Sequence, residues 1–444
     1  MDHDSKIVII GAGVFGLTTA YQLALEGYRN ILVLDRHTPP VPDGSSTDIS
    51  RVIRFDYADE DYMSIAYDAY KRWRDLPRYK GIFFPTNYIA VASGQNPDNK
   101  SGWIDGVTSQ LTKKGLPWTR LETTSQARLT FPTLSGELAV PHFGGYYNQQ
   151  AGWADASKAM IQLRDDCISA GVSFLCGQAG TVVGFDVNPQ GVVKAAKVAN
   201  GDVVSGDHFM VTAGSWVSGL VPMYNSTLST GQVLGYVTLS DAEVEKLKDL
   251  PIYANMKTGW FNFPPYKGNK TLKMAVHGWG YTREPNDQES ALIEGRTSST
   301  PPLLPQNSRP HFAPKDGEER LRRGLREILP ELADRPFDKL AICWYCDTPT
   351  GDFVMDYHPD YKNLFIGGAG SGHAFKFLPV LGEYMSKAIH RRLPSNLTHK
   401  WRLRTDYKDS SNAFPGDGSR GGPIRRELSS VERVQLDGRQ RPKL

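Results

Sequence analysis

Residues 6–35 read KIVIIGAGVFGLTTAYQLALEGYRNILVLD, an unbroken apolar run, a glycine turn, an amphipathic stretch ending near Gly27, and a second apolar run. That succession predicts a strand, a helix and a strand, one βαβ unit. Strands without polar alternation are those covered on both faces, as in parallel sheets. Similar runs bounded by turn residues recur at HFMVTAG (208–214) and NLFIGGAGSG (363–372). They are expected to add buried strands to the same sheet, so the domain they build is discontinuous in sequence.

The texture changes over residues 60–145 and 220–335, which are rich in aromatics and prolines and carry alternating patterns such as QVLGYVTLS and TLKMAVHGW. Alternation suits an antiparallel sheet with one face packed, accompanied by helices. The stretch SSTPPLLPQNSRPHFAPKDG predicts a proline-rich surface loop, and EERLRRGLREIL after it a helix. From about Ser410 the chain turns polar, glycine-rich and charged, and an extended or mobile tail is expected. No internal repeat is present.

A chain of 444 residues is long enough for two domains. Its 51 basic and 48 acidic residues nearly balance, so charge steers it toward neither nucleic acid nor an anionic membrane. A small-molecule partner is expected. No apolar run approaches the roughly 20 residues that span a bilayer, and the start MDHDSK has no signal-peptide pattern. The expectation is a soluble, intracellular protein. Four cysteines, Cys167, Cys176, Cys343 and Cys346, are too few for a disulfide framework at this length. The final Pro-Lys-Leu is similar to a peroxisomal address with an unusual first residue, so localisation in the peroxisome or the cytoplasm is expected.

Gly11, Gly13 and Gly16 form G-x-G-x-x-G between the first strand and its helix, with Asp35 ending the next strand. The first glycine permits the turn, the second admits a pyrophosphate to the backbone, and the third lets helix and strand pack closely. The helix N-terminus then faces the phosphates with free N–H groups, and Asp35 is placed to accept from a ribose. A dinucleotide site is expected. The unit alone does not separate FAD from NAD; its N-terminal place, with the rest of the domain spread toward the C-terminus, favours FAD.

Cys343 and Cys346 lie in CWYC. A structural zinc site wants four ligands, and no second pair or suitably spaced histidines accompany these. A thioredoxin-like pair would open a helix, whereas this one sits in an apolar, aromatic strand context.

Four separated segments carry a resemblance through most of the chain: the N-terminal fingerprint, SSTDISRVIRFDY, TLKMAVHGW, and CWYCDTPTGDFVMDYHPDYKNLFIGGAGSGHAFKFLP. With these the sequence resembles the monomeric sarcosine oxidase and fructosyl-amino-acid oxidase (amadoriase) family of FAD-dependent amine oxidases, closest in texture to fungal sarcosine, saccharopine and pipecolate oxidases. The resemblance implies an α/β, two-domain α+β architecture. A Rossmann-like FAD-binding domain of the D-amino-acid-oxidase-like type would comprise 1–60, 145–215 and 336–395. An antiparallel-sheet substrate domain would comprise 61–144 and 216–335, and 396–444 would be the tail. It also implies FAD bonded covalently to Cys343, with Tyr345 two residues on facing substrate. Cys346 has no family role and is expected to be a small apolar filler.

Arg51 and Arg54, three apart in SRVIRFDY, would alone suggest a solvated surface pair. By resemblance Arg51 lies over the flavin ring, while Arg54 and Lys376 hold a substrate carboxylate; a guanidinium fork suits that bidentately. Lys273 corresponds to the lysine that assists reaction with dioxygen, where a fixed positive charge stabilises superoxide. Strand alternation puts Lys273, Ala275 and His277 on one face. His277 stands where fructosyl-amino-acid oxidases carry Glu, and Phe261 where bacterial sarcosine oxidases carry Tyr. The substrate is therefore expected to be neither a sugar amine nor simple sarcosine. The cofactor-binding set implied is Gly11, Gly13, Gly16, Asp35, Arg36, Ser45, Ser46, Arg51, Val182, Cys343, Gly370, Gly372, His373 and Lys376. Lys273, His277, Arg51 and Tyr345 are the implied catalytic set, and Arg54, Lys376 and Phe261 the substrate-binding set.

The implied activity is FAD-dependent oxidation of a secondary amine of an amino acid or related metabolite, giving an imine and hydrogen peroxide, by a monomer. The rivals are an Amadori-product oxidase, a flavin dehydrogenase with another electron acceptor, and a flavoprotein fold kept as a scaffold. A scaffold has no use for the whole set of Cys343, Arg51, Arg54, Lys273 and Lys376. The pair Arg402 and Arg404 is expected to be solvated rather than to reach a distal carboxylate.

Overall fold

The run IVII forms the strand Ile7–Ile10, buried along its whole length between parallel neighbours Ile31–Asp35 and His208–Val211. A computed structural model describes residues 1–93, 101–139, 143–285, 299–302, 313–407 and 416–428 of the protein. In it the sheet has six strands, in the order Val354–Tyr357, Leu364–Gly368, His208–Val211, Ile7–Ile10, Ile31–Asp35 and Ser173–Cys176, all parallel except the first. The two later apolar runs thus join the sheet as their pattern predicts. Helix Val14–Leu25 packs against Leu378–Ile389 and Ala156–Ser169. A Cβ at Gly16 would lie 1.9 Å from the Gly11 carbonyl oxygen, so only glycine allows this helix to start so close to the strand.

A second, larger sheet of eleven strands is mixed. In it Leu228–Thr238 pairs antiparallel with both Thr271–Val276 and Lys339–Asp347. Arg51–Ile53 and Phe143–Ala154 also lie in this sheet, hydrogen-bonded to each other. Helix Lys315–Ile328 covers one face, burying Leu321, Leu325 and Ile328, the apolar positions of EERLRRGLREIL. A three-stranded antiparallel sheet, Val182–Val187, Val193–Val198 and Val203–Ser205, lies apart from both. Among the described residues no helix is long and apolar enough to cross a membrane.

Two expectations change. Ser299 and Thr300, at the start of the proline-rich stretch, are fully buried, with the Ser299 hydroxyl donating to the Ser229 carbonyl; residues 303–312 lie outside those described. The tail is not all extended. Residues 416–428 are folded against the large sheet, where Arg426–Glu427 pairs with Tyr281–Thr282. The polar composition that suggested mobility instead finds partners inside: Arg420, 4% exposed, is paired bidentately with buried Asp347. The terminal Pro-Lys-Leu lies outside the described residues.

Removing one partner of a buried pair leaves an uncompensated charge, which costs about 3–5 kcal/mol. Arg420→Ala is therefore expected to lower the urea midpoint by a stability loss of about that size, and Arg426→Ala, at an exposed position, by less than about 1 kcal/mol. Equal losses for both would show that the buried pair does not anchor the segment.

Candidate active site

One cavity of about 340 Å³ runs from the glycine turn of the parallel sheet to the inner face of the large one. Every site residue named from the sequence lines it except Gly16, whose part is the packing described above. A second hollow, beside Arg402 and Arg404, holds only about 10 Å³, room for about one water, and those arginines do not line the main cavity.

At the nucleotide end the Ala12 and His37 amides donate to Asp35, at 2.7 and 3.1 Å, so this carboxylate also braces the glycine turn. The Val14 amide in the first turn of the helix donates to the Ser46 hydroxyl at 2.9 Å, and no acid lies in that turn to repel a phosphate. Arg36 stacks on Trp216 and pairs with Asp43 through one nitrogen, at 2.7 Å, while its Nη1 is buried without a hydrogen-bond partner. A glycine turn leading into a helix N-terminus without acids, and an unsatisfied guanidinium nitrogen, fit a dinucleotide pyrophosphate.

Midway, Cys343 and Tyr345 alternate inward from Lys339–Asp347. The Trp344 carbonyl between them accepts from the Ser45 and Ser215 hydroxyls, at 2.6 and 2.9 Å, which ties this strand to the serine turn. Arg51 donates to the Ser45 carbonyl at 2.6 Å and to Asp48 at 2.6 Å, and its Nη2 lies 3.9 Å from Cys343 Sγ. Asp48 also pairs with Lys273 Nζ at 3.0 Å and accepts from the Tyr236 hydroxyl at 3.0 Å. Lys273, 2% exposed, donates to the Ser50 carbonyl and sits over the Phe263 ring. Cys346, buried among apolar side chains, has its thiol pKa pushed up by burial and then by Asp347.

At the far end Arg54 is surrounded by the rings of Tyr57, Tyr88 and Trp103, each 5.3 Å away, and donates to the Asp56 carbonyl. Lys376 donates to the Tyr57 hydroxyl at 2.9 Å and to the His373 carbonyl at 2.7 Å. Burial, then the Arg54 charge, pushes the Lys376 pKa well down. His373 lies between the Tyr57 hydroxyl and the Gly351 carbonyl. Gly372, at φ +77°, lets the Tyr345 ring lie where a Cβ would be 2.2 Å from it. His277 contacts the Tyr345 hydroxyl through Nδ1 at 3.4 Å and the Ser419 hydroxyl through Nε2 at 3.0 Å.

Sequence reasoning missed Asp48, Tyr57, Tyr236, Asp417 and Ser419. The first had a signal, an acid three residues before Arg51; the last two had none, because they lie in a stretch whose composition suggests disorder. Among the described residues no group of three or more His, Cys, Asp or Glu is arranged to hold a metal.

Residues 6–388 match the family model for FAD dependent oxidoreductases. L-saccharopine oxidase of Schizosaccharomyces pombe is 28% identical, over 91% of this chain and 94% of its own. Monomeric sarcosine oxidase of a Bacillus species is 25% identical, over 87% and 92%. Fructosamine oxidase (Amadoriase II) of Aspergillus fumigatus superposes with a TM-score of 0.84 over 96% of both chains, at 26% identity.

Burial, then the Lys376 charge, pushes the pKa of His373 from 6.5 down to about 3. The unfolded chain therefore takes up a proton there that the folded one refuses, and stability is lost as pH falls from 6.5 toward 3. The slope is at most about 1.4 kcal/mol per pH unit. His373→Gln is expected to flatten the fall of the unfolding free energy, measured by urea titration between pH 6.5 and 4.5, by up to that amount. An unchanged slope would mean that His373 is protonated in the native state.

Proposed function

The chain belongs to the family of FAD dependent oxidoreductases, and on that premise we propose that it oxidises a secondary amine of an amino acid or amino-acid-derived metabolite to an imine, with dioxygen giving hydrogen peroxide. The observation that carries this reading is a single cavity joining the glycine turn to two basic side chains, half-buried Arg54 and buried Lys376, past Cys343, Arg51 and Lys273. When bound, FAD supplies the acceptor for a hydride equivalent from the carbon beside the amine nitrogen.

Arg54 and Lys376 hold the substrate carboxylate. Burial, then the Arg54 charge, lowers the Lys376 pKa well below its usual value, and an arriving carboxylate opposes both effects, which favours an acidic ligand over a neutral one. The rings around Arg54 keep its fork in place, so the carboxylate fixes the direction of the amine. His277 and Tyr345 meet the amine, and Phe261 forms part of the wall. Lys273 holds a positive charge where dioxygen is reduced.

We assign covalent FAD attachment to Cys343. The Arg51 guanidinium beside its sulfur stabilises negative charge developing there. Asp35, Arg36, Ser46 and Val182 line the nucleotide end of the same cavity. The parallel-sheet lobe is proposed to bind FAD and the large-sheet lobe the substrate, in a monomer of the peroxisome, addressed by Pro-Lys-Leu, or of the cytoplasm. The sugar-amine reading is favoured by the superposition on fructosamine oxidase; His277, in place of the acid expected of that branch, is against it.

Purified protein assayed for peroxide with sarcosine, pipecolate, saccharopine, fructosyl amino acids and N-methylated aromatic amino acids is expected to respond to a carboxylate-bearing secondary amine. Arg54→Met is expected to raise KM for it by roughly a hundredfold, the loss of a charge-assisted bidentate contact. A response confined to fructosyl amino acids would favour the second reading. On acid precipitation the wild-type pellet is expected to stay yellow and the Cys343→Ser pellet to be colourless; a yellow variant pellet removes Cys343 as the anchor.

A further inference from the structure

The segment 416–428 brings two polar side chains to the substrate end that the amine-oxidase reading does not use. The Ser419 hydroxyl donates to Asp417 Oδ1, and the Ser419 amide donates to the same oxygen at 3.0 Å. On its other side Ser419 Oγ lies 3.0 Å from His277 Nε2. The His277 backbone is held at both ends as well: its amide donates to the Gly259 carbonyl at 2.7 Å, and its carbonyl accepts from the Gly421 amide at 3.2 Å. Arg420, between these contacts, is fixed by Asp347.

We propose that Asp417 and Ser419 are positioning residues that hold His277 as its Nε2–H tautomer and so turn the Nδ1 lone pair to the substrate amine. This deepens, and rests on, the reading of the cavity as an amine-oxidase site. A hydroxyl has one hydrogen. Ser419 spends its hydrogen on the carboxylate, so toward Nε2 it only accepts, and Nε2 must carry the proton. Against burial, which would raise it, Asp417 is held at about 2, its Oδ1 taking both the hydroxyl and the amide hydrogen of Ser419. It is therefore ionised and accepts only. Burial, then the Arg420 charge, pushes His277 well below 6.5, so the ring is neutral and Nδ1 is bare. Tyr345, whose pKa is raised by burial and then by Cys343, keeps its proton, and its hydroxyl oxygen lies 3.4 Å from Nδ1.

The charged and titratable groups acting on His277 are Arg420 and Asp417 from the segment, Arg54 and His373 from the carboxylate end, and Tyr345 from the neighbouring strand. Asp417 is the anion among them, and it is joined to the ring through one hydroxyl. When a protonated amine enters, its N–H bond breaks, the electron pair stays on the amine nitrogen, and the proton bonds to Nδ1. The imidazolium formed then shares its Nε2–H with Ser419, whose hydroxyl remains directed at the Asp417 carboxylate. The amine is left as the free base that oxidation requires, and no electron is transferred in this step.

The test uses full-length, FAD-loaded protein labelled with 15N-histidine, with the two ring nitrogens distinguished by long-range 1H–15N correlation and the His277 signals identified by their loss in His277→Gln. At pH 7.5 the wild type is expected to show a neutral Nε2–H ring. Ser419→Ala is expected to shift it to Nδ1–H or to a mixture, and Ser419→Thr to keep the wild-type pattern. With an amine that bleaches the flavin, Ser419→Ala is expected to slow bleaching roughly tenfold with little change in the half-saturating amine concentration, a part of what a positioned base contributes. The threonine variant is expected to restore the rate. An Nδ1–H or cationic ring in the wild type, or an unchanged tautomer in Ser419→Ala, overturns the proposal. If no amine bleaches the flavin while the tautomers behave as stated, the amine-oxidase reading fails and the positioning of His277 stands.

Discussion

A single buried carboxylate, Asp48, ties the two halves of the cavity together. It takes Arg51 Nη1 at 2.6 Å, Lys273 Nζ at 3.0 Å and the Tyr236 hydroxyl at 3.0 Å, from three strands of the large sheet, while its own position lies just beyond the nucleotide-binding βαβ unit. Its backbone carbonyl accepts the amide and hydroxyl of Ser157, at the start of helix Ala156–Ser169. Two cations share one anion, so the cluster carries an excess positive charge beside Cys343. In a region of low dielectric, such a charge acts strongly on any anion formed there. The carboxylate keeps two like charges close together, which neither would tolerate in the interior alone.

The fold was legible where local chemistry leaves one solution. Residues 6–35 could hardly be anything but a strand, glycine turn, helix and strand, and the runs at 208–214 and 363–372 carry the uniform apolarity of strands covered on both sides. The alternation of Lys273, Ala275 and His277 placed all three on the cavity wall. Of the cavity, the lining residues named by resemblance were legible because motif and spacing mark their positions. Asp48, Tyr236 and Tyr57 were not, because their work depends on contacts between segments distant in sequence, and an acid or a tyrosine reads the same in sequence whether solvated or buried.

The C-terminal segment shows the opposite failure. Its glycines, serines and arginines read as disorder, since composition registers an arginine without its partner. Asp347 lies at the end of the strand that carries Cys343 and Tyr345, and its pairing with Arg420 converts a polar stretch into a wall of the site. The strand bearing Cys343 and the segment bearing Ser419 are thus joined by the Arg420–Asp347 ion pair. Changes in the segment should be felt at His277 before they are felt at the nucleotide end, because its hydrogen bonds run to the former.

The charge gathered around Asp48 has its most direct test in the return of colour after photoreduction without any amine, which needs no knowledge of the substrate. Wild-type protein, bleached by light under nitrogen and mixed with air-saturated buffer, is expected to regain its yellow colour within seconds and to release peroxide. Lys273→Met, retaining its flavin, is expected to recover about a hundredfold more slowly, the usual loss when a fixed charge that stabilises a developing anion is removed. Recovery of the variant at the wild-type rate, or slow recovery of both, would contradict the role given to this cluster.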